Sequence, residues 1–357
     1  MHTRDPNDNP FFPGPSDIRN RVLSSAILAP SPHNTQPWKI RLEGTERILI
    51  SIDRDRLIQG CDPIGRQAFI STGAFLENLD ITAGSLGYRA DLDLFPEGWP
   101  DPRTVPDTPI ARIDLVRDSR CIPDPLSTQI PIRHTNRRVF STREVSLHST
   151  GQITESYEYS LVPFGFCNDQ DFIRTIAGFA ADAMDIELAD TTRRNETLQY
   201  FRFTDEEVLK SADGIGLAQS GYGRISRFLI GKFFLSRKKA TASPSLFSGM
   251  ATKKTRAQVE RSGGIGWLST KSDHRVDHVR AGRAFQRIHL KATSLGISLQ
   301  PITQPLADYG EMSDLRSALY EYLGIPDTHT VQMLFRLGFA PPVPPSPRRS
   351  LEMFLKL

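Results

Sequence analysis

Two short stretches of this 357-residue chain carry residue types and spacings that can do chemistry. The first is Ala29-Pro-Ser-Pro-His-Asn-Thr-Gln-Pro-Trp38. Its prolines, Pro30, Pro32 and Pro37, fix the local backbone and remove three N–H donors. Between them Ser31, Asn34 and Gln36 offer short donor and acceptor groups suited to the polar edge of a heteroaromatic ring. The second is Arg133-His-Thr-Asn-Arg-Arg-Val-Phe140, in which Arg133 and Arg137 flank the hydroxyl of Thr135. Forked guanidinium donors beside a hydroxyl match a phosphate dianion better than lysines would. Each stretch alone also reads as something ordinary, a proline-rich helix exit or a solvated basic face.

Together they resemble the APSxxNxQPW and RxSxRxF signatures of the nitroreductase family. The resemblance implies bound FMN, with Pro30, Ser31, Pro32, Asn34 and Gln36 at the flavin and Arg133, His134, Thr135 and Arg137 at its phosphate end. Their order is inverted, because in the typical family member the arginine motif comes first and the enzyme is a homodimer with its flavins at the interface. A fused pair of halves explains the inversion if one half keeps each motif, leaving one complete site per chain. An ungapped internal match supports duplication: Gly73-Ala-Phe-Leu-Glu-Asn-Leu-Asp-Ile-Thr-Ala-Gly-Ser-Leu-Gly87 aligns with Gly282-Arg-Ala-Phe-Gln-Arg-Ile-His-Leu-Lys-Ala-Thr-Ser-Leu-Gly296 at a constant offset of 209. Both segments have apolar residues at helical spacing and end on a glycine suited to a left-handed cap.

Along most of its length the chain is similar to the double-length, Acg-type branch of that superfamily. The implied fold class is α+β, a nitroreductase-like fold whose halves, 1–125 and 126–357, form an intramolecular pseudo-dimer. The resemblance also places Pro301, Ile302, Thr303 and Gln304 against the ring, although Thr303 and Gln304 replace the acidic residue and glycine usual there. It brings Arg348 or Arg349 of the terminal Pro347-Arg-Arg-Ser-Leu-Glu352 to the phosphate.

Composition sets bounds on this reading. The chain is 38% hydrophobic and 24% charged, with a net charge of only +3. Cys61, Cys121 and Cys167 are scattered and odd in number, which suggests neither a disulfide framework nor a zinc site. With no secretory leader pattern and no apolar run near the ~20 residues of a membrane helix, a reducing cytoplasm is the expected location. Residues 1–16 read as an arm, 17–28 as a helix, and 39–42 with 47–53 as a hairpin. Helices are expected over 69–86, 172–189 and 276–295, and strands over 110–116, 155–161, 265–269 and 331–338. Thr204-Asp-Glu-Glu207 has capping-box spacing. The proline-rich stretch 96–131 reads as the crossover between halves.

Other motifs weigh against rival chemistries. His274 and His278 have metal-compatible i, i+4 spacing, but the surrounding Ser272, Asp273 and Asp277 read as helix capping, so no metal is expected. The glycines of 213–216 and 262–266 form neither a dinucleotide fingerprint nor a phosphate loop. No side chain is singled out as catalytic, since a flavin carries its own redox chemistry. Residues 221–261 hold ten Lys or Arg against one acid, a local charge of +9, interleaved with phenylalanines and isoleucines from Ile225 to Leu235. This basic insertion is expected to be a lid, with a weak membrane-surface contact as the second reading and nucleic acid disfavoured. The leading expectation is an FMN-dependent oxidoreductase passing hydride from NADPH, NADH or an organic donor to a nitroaromatic, quinone or other conjugated small molecule, as a monomer or homodimer. A flavin-storing protein without turnover and a biosynthetic dehydrogenase are the alternatives.

Overall fold

The computed structural model describes residues 17–157, 160–223, 227, 240 and 242–355. The N-terminal arm and the phenylalanines, isoleucines and leucines of the basic insertion between Ile225 and Leu235 therefore lie outside the described residues.

The first half begins with helix α1 (Ile18–Ala26), started by Asp17, whose carboxylate accepts from the Arg19 N–H at 2.9 Å. The motif turn leads into strand β1 (Trp38–Glu43), which pairs antiparallel with β2 (Arg47–Ile52), Trp38 opposite Ile52. Helix α2 (Arg66–Ser85) follows, then β3 (Tyr88–Leu94) and β4 (Ala111–Arg117). The sheet order is β1-β2-β4-β3. The later part runs α3 (Leu147–Thr154), β5 (Phe164–Cys167), α4 (Gln170–Ala189), α5 (Thr191–Gln199), β6 (Phe201–Arg202), α6 (Asp205–Ser211), β7 (Ile215–Gly216), α7 (Pro244–Glu260), β8 (Gly264–Thr270), α8 (Arg275–Ser294), β9 (Ser298–Pro301), α9 (Ser313–Tyr322) and β10 (Thr330–Gly338). Its sheet order is β5-β8-β10-β9.

The two sheets are the same object built twice. In each, a helix leaves the second strand, ends at a glycine with positive φ (Gly87, 78°; Gly296, 70°) and feeds an edge strand, and the strand after that closes the gap. The difference is the long segment between β5 and β8, where β1 and β2 have only a tight turn. Helices α2 and α8 cross at Gly73 and Gly282, the two positions that open the internal match. A Cβ on Gly73 would lie 2.0 Å from the Val279 carbonyl oxygen, and one on Gly282 would lie 1.9 Å from that of Ile70. Position 279 is 70 shifted by 209, so each glycine meets the counterpart of what the other meets. That reciprocity marks an isologous two-fold contact. Charges lock it, with Arg283 donating to Glu77 and Asp80, each at 2.6 Å.

Several expectations are corrected. Residues 155–161 contribute no strand among those described; the strand is β5, and the Tyr157 hydroxyl instead donates to the Val162 carbonyl at 3.0 Å. The crossover does not span 96–131, because β4 inside it completes the first sheet. Helix α8 is capped by His274, not by Ser272 or Asp273, with the Asp277 carboxylate accepting the His274 N–H. Asp273 binds the buried His278 Nε2 at 2.8 Å. The C-terminal tail returns across the molecule: Leu351 and Phe354 join the first half's core, and the Ile40 N–H donates to the Phe354 carbonyl.

Candidate functional site

The turn after α1 adopts a conformation that its sequence does not favour without support. His33, Asn34 and Gln36 all have positive φ, near 50°, a region disfavoured for residues other than glycine and least so for Asn. Such strain persists where the surroundings over-determine it. The Ser31 hydroxyl accepts the Gln36 N–H at 2.9 Å, and Trp38, fully buried, packs on Phe75 and Phe354. The Asn34 amide donates to the carbonyls of Gly214 and Pro347, and its oxygen accepts from Arg348. Gln36 is wholly buried, donating to the Ala212 carbonyl at 2.9 Å and accepting the Arg349 N–H at 3.0 Å.

Beneath this turn two cavities adjoin. The larger lies between the halves and is walled by Pro30, Ser31, Pro32 and His33 from the turn, Gln67, Ile70, Ser71 and Ala74 from α2, Thr135 and Arg137, and Pro301 at the end of β9 with Ile302, Thr303 and Gln304 after it. The smaller is lined by Asn34, Arg133, His134 and Arg348 and shares Pro30, Ser31, Thr135, Arg137 and Ile215 with the first. The two signature motifs, a hundred residues apart in sequence, thus meet at one place. Thr135 is held there by a bridge to Leu299 beside β9.

The charges at the junction are unequal in their engagement. Arg133 is buried, with one guanidinium nitrogen 3.3 Å from His289 Nδ1 and another donating to the Leu28 carbonyl. Burial and the Arg133 charge push His289 well below its usual pKa, so the ring is neutral and its Nδ1 accepts. His134 is neutral for the same dominant reason, burial; its Nδ1 donates to the Ile132 carbonyl and its Nε2 accepts the Val343 N–H. Arg348 donates to the carbonyls of Ile27, Leu28 and Ala29, tying the tail to the end of α1. Arg137 differs. Among the described residues its guanidinium has no hydrogen bond or ion pair, and burial pulls its pKa down to about 10. It also depresses its neighbours: His33 falls to about 4 and Lys254 to about 7, with burial the larger cause in both.

Of the residues singled out in sequence, Gln36 and Arg349 are not brought to either cavity. Both are consumed in fixing the turn, Arg349 donating to the Gln36 carbonyl at 2.7 Å and lying over the Phe354 ring. Arg348, not Arg349, reaches the smaller cavity. Reading the sequence missed Glu187 and Met184 on α4, Thr255, Gln258 and Val259 on α7, and Ile58 and Cys61, all in the wall of the larger cavity. Only His33 carried a signal, its place inside the first motif. Among the described residues no cluster of three or more His, Cys, Asp or Glu could hold a metal, and no helix is long and apolar enough to cross a membrane.

The duplicated α+β architecture with a cleft at the seam between halves is a double-length nitroreductase-like fold, and in sequence the chain is similar to Acg-type proteins provisionally named NAD(P)H nitroreductases. A Mycobacterium tuberculosis protein provisionally named an NAD(P)H nitroreductase is 29% identical over 354 residues, covering 98% of this chain and 93% of the relative. The Mycobacterium tuberculosis protein named acg, also provisionally an NAD(P)H nitroreductase, is 24% identical over 354 residues, 94% of this chain and 95% of its own. A crystal structure of a provisionally assigned nitroreductase from Anabaena variabilis shares the fold at a TM-score of 0.51 and 11% identity, over 93% of this chain and 91% of that one. No family model matches the chain.

Proposed function

We propose that the chain is an FMN-dependent oxidoreductase of the nitroreductase type, with a single flavin site in the cleft between its halves. The observation that carries this reading is Arg137, a half-buried cation whose guanidinium makes no hydrogen bond or ion pair among the described residues, at the junction of the larger cleft and a smaller polar cavity. An unpaired charge drawn partly out of water is costly unless a counter-ion meets it. The donor set around it, Arg133, Thr135, Arg137 and Arg348, fits a phosphate. Pro30, Pro32, Pro301 and Ile302 supply apolar wall, and Ser31, Thr303, Gln304 and Gln67 supply polar atoms, the mixture expected of a cofactor cleft.

The chemistry that FMN contributes when bound is hydride acceptance at N5 from NADPH or NADH and donation to a conjugated acceptor. This chain's residues hold and orient it. Arg137 and Thr135 fix the phosphate end, the strained turn fixes the wall formed by Pro30 to His33, and α4 and α7 shield the opening from water. His33, held neutral, adds a donor or acceptor and no charge. Nitroaromatics and quinones are the acceptor class that this reading favours. The test is anaerobic mixing of the FMN-loaded protein with NADPH or NADH while following the flavin band. Bleaching by either supports the oxidoreductase. A flavin that resists both and yields only to dithionite contradicts it in favour of storage or of a different organic donor.

A further inference from the structure

The long segment between β5 and β8 has no counterpart in the first half, and it supplies a wall of the larger cleft. Its helix α4 presents Met184 and Glu187, one turn apart, to that cleft. Glu187 is 5% exposed, and among the described residues its carboxyl accepts no hydrogen bond and joins no ion pair. The neighbours that could satisfy it are engaged elsewhere. Arg193, whose field acts on Glu187, donates to Glu311 at 2.8 Å and lies 3.5 Å over the Tyr309 ring. Glu196 accepts the N–H groups of Gly60 and Cys61 at 2.8 and 2.9 Å. The Cys61 thiol lies 3.7 Å from the Arg193 carbonyl and is held protonated by burial and by the two acids. The buried Tyr309 hydroxyl has no hydrogen-bond partner among the described residues. Glu187 lines the larger cleft and not the smaller one that Arg133 and Arg348 flank.

We propose that Glu187 is a specificity-determining residue: it receives the protonated amine, or an amidine, of a substrate whose conjugated ring enters the larger cleft. This rests on the flavin reading of the same cleft. A cationic donor is the ligand group that answers this arrangement, because a carboxyl removed from water gains most from a charge-assisted hydrogen bond. A neutral hydroxyl would gain less, and a carboxylate would be repelled. Burial, the main cause, raises the Glu187 pKa to about 7, so an arriving cation also shifts the group toward its ionised form.

The test titrates the oxidised, FMN-loaded protein with 4-nitrobenzylamine, 4-nitrobenzyl alcohol and 4-nitrobenzoate, which share ring and size and differ in charge. Binding is read from the perturbed flavin band, with calorimetry on the same samples and no reductant present. The expected order is amine, alcohol, carboxylate, with the amine at least tenfold tighter than the alcohol. Glu187→Gln removes that preference while retaining FMN, and Glu187→Asp keeps part of it. Equal affinities for the three probes, or a preference that survives in Glu187→Gln, overturns the proposal. The wild-type order decides even if a variant fails to fold. A chain that takes up no FMN contradicts the flavin reading instead, and calorimetry with the same three probes still decides the role of Glu187.

Discussion

Replacing Gly73 by alanine tests the seam between the halves, and the structure supplies its own control on the same helix. An added Cβ at Gly73 would stand 2.0 Å from the Val279 carbonyl oxygen and 3.0 Å from the Arg283 nitrogen, both main-chain atoms that no rotamer change can move. An added Cβ at Gly84, eleven residues further along α2, would meet nothing within 4 Å. Helix propensity favours alanine at both sites by about 1 kcal/mol. At Gly84 that gain stands alone. At Gly73 overpacking opposes it at about 1–3 kcal/mol or more, since α2 and α8 must separate by more than an ångström to restore ordinary contact. The stability of Gly84→Ala should therefore exceed that of Gly73→Ala by about 1–3 kcal/mol or more, roughly 2–6 °C in melting temperature at about 2 °C per kcal/mol. Because Ile70, Ser71 and Ala74 line the cleft beside the crossing, Gly73→Ala should also lose flavin. Thermal unfolding monitored by circular dichroism reads the first effect and flavin absorbance the second. If both variants melt together and keep equal colour, the helix crossing is not the seam described here.

Arg137→Ala should weaken FMN binding more than tenfold, from the loss of a charge-assisted contact worth about 1.5–3 kcal/mol, yet leave the melting temperature of the flavin-free protein unchanged or higher, as equilibrium dialysis and calorimetry would show. Arg348→Ala should instead lower the melting temperature with or without flavin, because it abandons the carbonyls of Ile27, Leu28 and Ala29, and limited proteolysis should then release the C-terminal tail. Glu187 ties stability to pH: its carboxyl ionises near 4.5 when unfolded and near 7 when buried in the folded chain, so its penalty is absent below about pH 4.5, grows between 4.5 and 7 and is constant above. Denaturant titrations should show Glu187→Gln gaining on the wild type across that window by up to about 3 kcal/mol, and a difference that does not vary with pH would contradict the burial argument.

Where residue pattern and local physics coincide, the sequence is a sufficient guide. The β1–β2 hairpin, helices α2, α4 and α8 and strand β10 follow from periodicity, and the match between Gly73 and Gly282 locates the helix crossing. Strand β3 escapes because it is an edge strand half-buried along its length, its Arg89, Asp91 and Asp93 in surface ion pairs, so the inside–outside contrast is weak. The turn motif is legible as a motif, but its division of labour is not: Ser31, Asn34 and Gln36 offer identical chemistry to a ligand or to their own backbone, and only the left-handed conformations of three neighbouring residues show how much is used internally. Glu187 is invisible in sequence because an acid on an amphipathic helix is ordinarily solvated, and its burial follows from the packing of distant segments. The pairing of Arg348 and Arg349 is resolved in the same way, by a tail that reaches into the opposite half.

The most direct measurement is the flavin content of the purified chain after saturation with FMN and removal of the excess, with released flavin quantified against protein mass. One FMN per chain, lost together in Arg133→Ala/Arg137→Ala, is the expected result. Two flavins per chain, none, or one that survives both substitutions would contradict a single site at the seam of the duplicated fold.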